Sequence, residues 1–304
     1  MTAGAPLTAL AASFELGLEE RGLSERTVEA YQRTLTQFTA YLAEHELPAD
    51  TEGIDAPHVR AFLAAETART SAVSAHQHYR NLRVLFKWLV KEGERTGADP
   101  MPRVQAPKVT TKIKPMLTDD DLAKLLKAAE GTTFEARRDT AILRVLIDSG
   151  VRVSGLGGMR LEDVNLRNKT IKVVLKGGDE HLVPLGRKAA AAVDRYIRTR
   201  ARHPRAESPW LWLGTSGRDT GHFGAAGIQD MIERHGKDAG LGKISPHWFR
   251  RTFAHDWLNS GGSEADGMRI AGWKTRTMIE HYAGELASER ARQAHVRLAP
   301  GDRL

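Results

Sequence analysis

Between Ser245 and Tyr282, helix starts and stops follow one another so closely that only short consecutive helices fit. Ser245 stands at a cap position and Pro246 at the first helical position after it. Gly261 and Gly262 close that helix, and Ser263 is placed to cap a second one running to about Gly272. Trp273 follows at a turn, and Tyr282 lies nine residues further on, inside an expected third short helix. His247 and Arg250 are three apart and share one face of the first helix. A His, an Arg, an indole N–H and a phenol are thus carried on successive elements. That set suits holding a phosphodiester while a hydroxyl attacks it.

Each of these residues alone has an ordinary reading. A Tyr on an amphipathic helix is usually a core residue with a satisfied hydroxyl, and a Trp usually packs. Arg250-Arg251 reads as readily as a solvated basic face. Composition leans toward a polyanion. Lys and Arg number 45 against 38 Asp and Glu, a net charge of +7, which favours nucleic acid as partner. The chain holds no cysteine. Disulfides and thiolate chemistry are therefore excluded, and a reducing cytoplasm is the compartment expected. No apolar run approaches the ~18 residues of a membrane span, and the N-terminus lacks the basic start of a signal peptide. No cofactor or metal site is expected, because neither a phosphate-cradling glycine loop nor a metal-ligand cluster is legible.

At 304 residues the chain has room for two domains. Residues 1–100 read as a helical bundle. Leu7, Leu10, Phe14 and Leu18 fall at helical spacing, Gly22 breaks the run, and Ser24 caps a helix holding Val28, Tyr31, Leu35, Phe38 and Leu42. Asp55 caps a third, and a fourth runs from about Ser74 to Glu92. Arg26, Arg80, Arg83 and Lys87 decorate this set as candidate DNA contacts. The prolines and cations that follow read as an extended basic linker over 101–115, in which Lys108 and Lys112 are further candidates. Residues 116–304 form the second domain. Thr118 and Asp121 make a capping box, and a mostly buried helix from about Glu135 ends at Ser149-Gly150. Arg152 comes directly after, between apolar residues. A buried Arg needs an anion or a carboxylate such as Glu162 or Asp163. The run TIKVVLKGGDEHLVPLG alternates, is β-branched and turns on glycine, so it reads as a β-hairpin with Lys176 at its tip. Arg187–Arg202 and 222–239 read as helices, and Phe249, Phe253 and Trp257 give the helix after Ser245 its buried face.

In order, Arg152, Lys176, His247, Arg250, Trp273 and Tyr282 resemble the catalytic set of the tyrosine recombinases, the phage-integrase, Xer and Cre-like enzymes. The match extends over nearly the whole chain. The resemblance implies a mainly α fold with a small β-hairpin or sheet (α+β): a SAM-like core-binding domain followed by a catalytic domain. It implies site-specific recombination through a covalent 3′-phosphotyrosine and a Holliday junction, on double-stranded DNA core sites, by a homo-tetramer, without metal or ATP. Tyr282 would be the nucleophile and Lys176 the general acid. Arg152 and Arg250 would grip the phosphate, with His247 and Trp273 adding hydrogen bonds; Arg251 would contact DNA. Because the chain starts almost at the bundle, no separate arm-site-binding domain is expected. Four departures stand out. Gly155 occupies the Glu position of T-G-x-R-x-x-E, Leu175 the first Gly of G-K-G, and Arg251 a common His position. Gly267 interrupts the helix before Trp273. Gly155 and Gly267 keep open a non-catalytic DNA-binding protein on a decayed recombinase scaffold. A type IB topoisomerase-like enzyme would use much the same residues. Were Tyr282 not the nucleophile, Tyr196 would be the next tyrosine to consider.

Overall fold

The computed structural model describes residues 4–109, 116–174, 180–215 and 221–276, with Ile279, 291–292, 295–296 and 299–303 beyond them. The chain divides into two compact units, Met1–Ile113 and Lys114–Leu304.

The first unit is helical. A 3-10 turn, Leu7–Leu10, leads into α1 (Ala11–Glu19), and α2 (Glu25–Glu44), α3 (Ala56–Arg69) and α4 (Ala72–Lys91) follow. Apolar residues recur every third or fourth position along α2, and they bury against Phe62 of α3 and Leu82, Leu85 and Phe86 of α4. Caps set the helix starts. Asp55 and His58 form a reciprocal capping box on α3, with the Asp55 N–H donating to His58 Nδ1 at 3.0 Å. The α4 cap is Ser71, which accepts from the Ser74 N–H, so the helix begins earlier than its sequence suggests. The chain after α4 stays bound to the bundle. Buried Arg95 donates to the carbonyls of Thr51, Ile54 and Ala98. Met101 and Val104 enter the same apolar core, although the sequence reads their stretch as tether.

The second unit holds α5 (Asp119–Ala128), α6 (Phe134–Ser149), α7 (Val153–Gly157), β1 (Val164–Asn165), β2 (Thr170–Val174), β3 (Glu180–Pro184), α8 (Arg187–Arg200), α9 (Ala225–Asp238), α10 (Pro246–Asn259) and α11 (Glu264–Ala271). The strands form an antiparallel sheet in the order β1-β2-β3, with Thr170 opposite Pro184 and Val174 opposite Glu180. Alternation puts Ile171, Val173 and Val183 on the core side. The hairpin expected from the sequence is therefore present, and its tip, with Lys176, lies outside the described residues. Helix α6 buries Ala141, Ile142, Leu143, Val145 and Leu146 in this core. Its one buried carboxylate, Asp139, accepts from Arg138, Arg234 and His235. Burial pushes the Asp139 carboxyl up, but the His235 hydrogen bond and the Arg138 charge outweigh it and hold it below the usual carboxylate range.

Candidate active site

The end of α11 collects the site. The last carbonyls of a helix have no partner within it, and they carry the negative end of its dipole. Three consecutive carbonyls here accept from three different elements. His181 Nε2, on β3, donates to Ile270 at 2.8 Å. Arg250 Nη1, on α10, donates to Ala271 at 2.7 Å and to Gly150 at 2.6 Å. Arg152 Nη1, at the start of α7, donates to Gly272 at 2.8 Å. A hairpin strand, the α6–α7 junction and α10 thus meet on one turn of chain.

Local sequence explains each placement. Gly150 ends α6 in the left-handed region, φ 56°, which leaves its carbonyl facing Arg250 and directs the chain into Val151-Arg152. Gly272 ends α11 the same way, φ 64°, and delivers Trp273 inward. Arg250 is only 2% exposed and its Cζ stands 4.6 Å from the centroid of the Trp273 ring, itself 5% exposed. A guanidinium stacked on an indole out of water is a strong cation–π pair. Trp273 also meets Phe253, and with Ala254, Ala271 and Ile279 they form a small core of their own. His247, in the first turn of α10, is exposed at the positive end of that helix dipole. Ser245 and Pro246 begin the helix as expected.

The carboxylates considered for Arg152 are engaged elsewhere. Glu162 pairs with Arg160 and Asp163 with Lys172. Two departures acquire a packing reason. A Cβ on Gly155 would stand 2.8 Å from Cγ1 of Val173, so α7 lies directly on β2 with no room for a Glu. Gly267 does not interrupt α11, which is continuous through it. A Cβ there would stand 2.8 Å from the Trp257 ring, and Trp257 is pinned by its own N–H bond to the Ser263 carbonyl. Arg251 departs from expectation in the other direction. It is 6% exposed and sits in the interior of the unit, where the sequence suggests a solvated DNA contact. Adjacent positions on a helix point about 100° apart, and both happen to face packed neighbours here.

Tyr196 is a core residue. Its hydroxyl donates to Leu211 O and accepts from Leu213 N, both at 3.0 Å, and burial pushes its pKa up to about 12. Tyr282 and Lys112, like Lys176, lie outside the described residues. Arg26, Arg80, Arg83, Lys87 and Lys108 are exposed on the first unit. His181 is the one site residue with no sequence signal: on a strand's mixed face it reads as an ordinary polar position.

The model of the phage integrase family matches residues 115–289, and that of the phage integrase N-terminal SAM-like domain matches residues 12–93. Tyrosine recombinase XerC of Corynebacterium efficiens is 31% identical over 282 residues, covering 91% of this chain and 87% of the relative. Among solved structures, XerH site-specific recombinase bound to palindromic difH substrate in a post-cleavage complex superposes with a TM-score of 0.75. It is 18% identical and covers 93% of this chain and 84% of that one. A lambda integrase tetramer bound to a Holliday junction gives 0.73 at 19% identity, covering 92% and 78%. At such identities these two establish the fold.

Proposed function

The chain belongs to the phage integrase family, and from that premise we propose how its residues cut and rejoin DNA. It is a tyrosine-type site-specific recombinase of mainly α fold with a small antiparallel sheet. The observation that carries the assignment of roles is the convergence of Arg152, Arg250 and the hairpin strand on the three carbonyls at the end of α11. In the sequence, Tyr282 comes nine residues after Trp273.

The phosphodiester is anionic and resists nucleophiles. Arg152 and Arg250 offer planar donors to its non-bridging oxygens, and their charge grows in value as the pentacoordinate phosphorus forms. His247 adds a hydrogen bond from the positive end of α10, and Trp273 shapes the pocket and donates its N–H. The Tyr282 oxygen forms a bond to phosphorus as the bond to the 5′-oxygen breaks. Lys176, from the hairpin tip, gives that oxygen its proton. The 3′-phosphotyrosine keeps the energy of the broken bond, and a 5′-hydroxyl of the partner strand reverses the step. Double-stranded core sites are the substrate, four copies of the chain the assembly, a Holliday junction the intermediate and the cytoplasm the place of action. Among the described residues no helix is long and apolar enough to cross a membrane. The decayed-scaffold alternative is not favoured, since Gly155 and Gly267 both answer to packing.

The test is a covalent adduct. On nicked duplex carrying the core site, wild type yields a protein–DNA band on a denaturing gel, linked through the 3′-phosphate. Tyr282→Phe keeps the ring, the fold and DNA binding, and yields no band. Tyr196→Phe keeps the band and loses stability, about 1–3 kcal/mol for its two buried hydrogen bonds. An undiminished band from Tyr282→Phe would overturn the assignment of the nucleophile.

A further inference from the structure

The end of α11 satisfies its carbonyls in two ways. Backbone closes the first pair: the Trp273 N–H donates to Met268 at 2.9 Å and the Gly272 N–H to Arg269 at 3.3 Å. Side chains take the next three, and two of the donors, Arg250 and Arg152, belong to the phosphate clamp. The third donor, His181 on Ile270, has no part in the chemistry of the phosphate. A polar residue on a strand usually does no more than satisfy such a carbonyl. The place of His181 in the ladder sets it apart from that case.

His181 is half-buried and stands opposite Val173. One rung of the hairpin thus carries two attachments to the site. On β2, Val173 meets α7 so closely that Gly155 has no room for a Cβ, and Arg152 begins that helix. On β3, His181 is bonded to the turn of chain that anchors both arginines. The next rung, Val174 opposite Glu180, is the last before the tip. In the sequence, Lys176 comes three residues after Val173 and five before His181. The tip must leave and rejoin the strands where these rungs put them. Lys172 on β2 also bonds Glu180 on β3 at 3.0 Å, which stiffens the hairpin without joining it to α11. Helix α11 is held independently, by the apolar core that Ala271 shares with Phe253 and Ala254 of α10. Loss of the His181 bond therefore frees the hairpin rather than the helix.

We propose that His181 is a positioning residue for protonation of the leaving group, an inference that rests on the general-acid role of Lys176. Its bond to Ile270 registers the lysine hairpin on the turn that holds Arg152 and Arg250. As the Tyr282 oxygen bonds to phosphorus, the bond from phosphorus to the 5′-oxygen breaks, and the Lys176 Nζ proton passes to that oxygen. A proton donor acts only within hydrogen-bond reach of its acceptor, and a displacement of about 1 Å can cost ~10²-fold in rate. Without His181 the arginines keep their own carbonyls, so the phosphate is still gripped and proton transfer is the step that suffers.

The test replaces the bridging 5′-oxygen of the scissile phosphate by sulfur. A thiol is a far stronger acid than an alcohol, so a 5′-thiolate leaves with its electron pair and needs no proton. Single-turnover cleavage is measured on the oxygen and sulfur versions of one nicked duplex carrying the core site. The proteins are full-length wild type, Lys176→Ala, His181→Ala and His181→Gln, each shown folded by circular dichroism. If the alanine variant of His181 unfolds, His181→Phe takes its place, since it keeps a ring and lacks the donor. His181→Ala is expected to cleave the oxygen duplex ~10²-fold more slowly than wild type and the sulfur duplex at close to the wild-type rate. His181→Gln, whose amide N–H reaches the place of Nε2, recovers most of the loss. An alanine variant that cleaves the oxygen duplex like wild type overturns the proposal. Equal slowing on both duplexes overturns it too, since the bond then serves the fold or the arginines. So does a glutamine variant as slow as the alanine one. Lys176→Ala separates the two levels of failure. If sulfur restores Lys176→Ala but not His181→Ala, the positioning role alone is wrong. If sulfur leaves Lys176→Ala slow, the general-acid assignment is wrong and the role of His181 falls with it.

Discussion

Arg152 and Arg250 make the same kind of bond to adjacent carbonyls, yet their surroundings separate them. Arg152 is half-buried at a helix start and donates to Gly272. Arg250 lies in the interior, shared between Gly150 and Ala271 and stacked on Trp273. Truncation should therefore have different consequences. Arg152→Ala is expected to lower the cleavage rate by ~10²–10³ with little change in melting, the effect of losing one transition-state donor. Arg250→Ala should lose at least as much activity and also about 1–3 kcal/mol of stability, since two buried carbonyls lose their donor. Parallel measurement of single-turnover cleavage and chemical denaturation separates the two. Equal stability losses would mean that burial does not distinguish these arginines.

Among the elements, α7 on β2 makes the sharpest case. Five residues of helix rest on the sheet only because Gly155 has no side chain to meet Val173. Gly155→Ala is expected to cost about 1–3 kcal/mol through overpacking. In a Val173→Ala background the same change should cost markedly less, which a double-mutant cycle of denaturation midpoints reads directly. Elements of this kind divide by how local their signals are. The hairpin was legible from alternation and glycine, the α5 capping box from Thr118 and Asp121, and the α11 cap from Ser263, because each is decided within a few residues. The burial of Arg251, the role of His181 and the reason for Gly267 were not. All three depend on what another element brings up against them. Met101 and Val104 show the same limit: prolines and cations around them read as tether, while the bundle core decides otherwise.

At the scale of the whole chain, cations are spread over both units, with Arg26, Arg80, Arg83, Lys87 and Lys108 exposed on the first. With about 6–10 phosphate contacts, affinity for DNA should fall ~10³–10⁵-fold between 50 and 200 mM salt. Fluorescence anisotropy across that range checks it, and a flat response would remove the first unit's cations from the interface. The carbonyl anchors at the end of α11 bear on how such a gene can drift. An amide oxygen is present whatever letter the codon spells, so exchanges at Ile270 or Ala271 among residues of similar bulk leave the anchors in place. A codon gained or lost within α11 turns every later carbonyl by about 100° and moves it 1.5 Å along the axis. The centre is thus written in chain length more than in spelling. An alanine inserted after Met268 should abolish adduct formation, while Ile270→Val retains it.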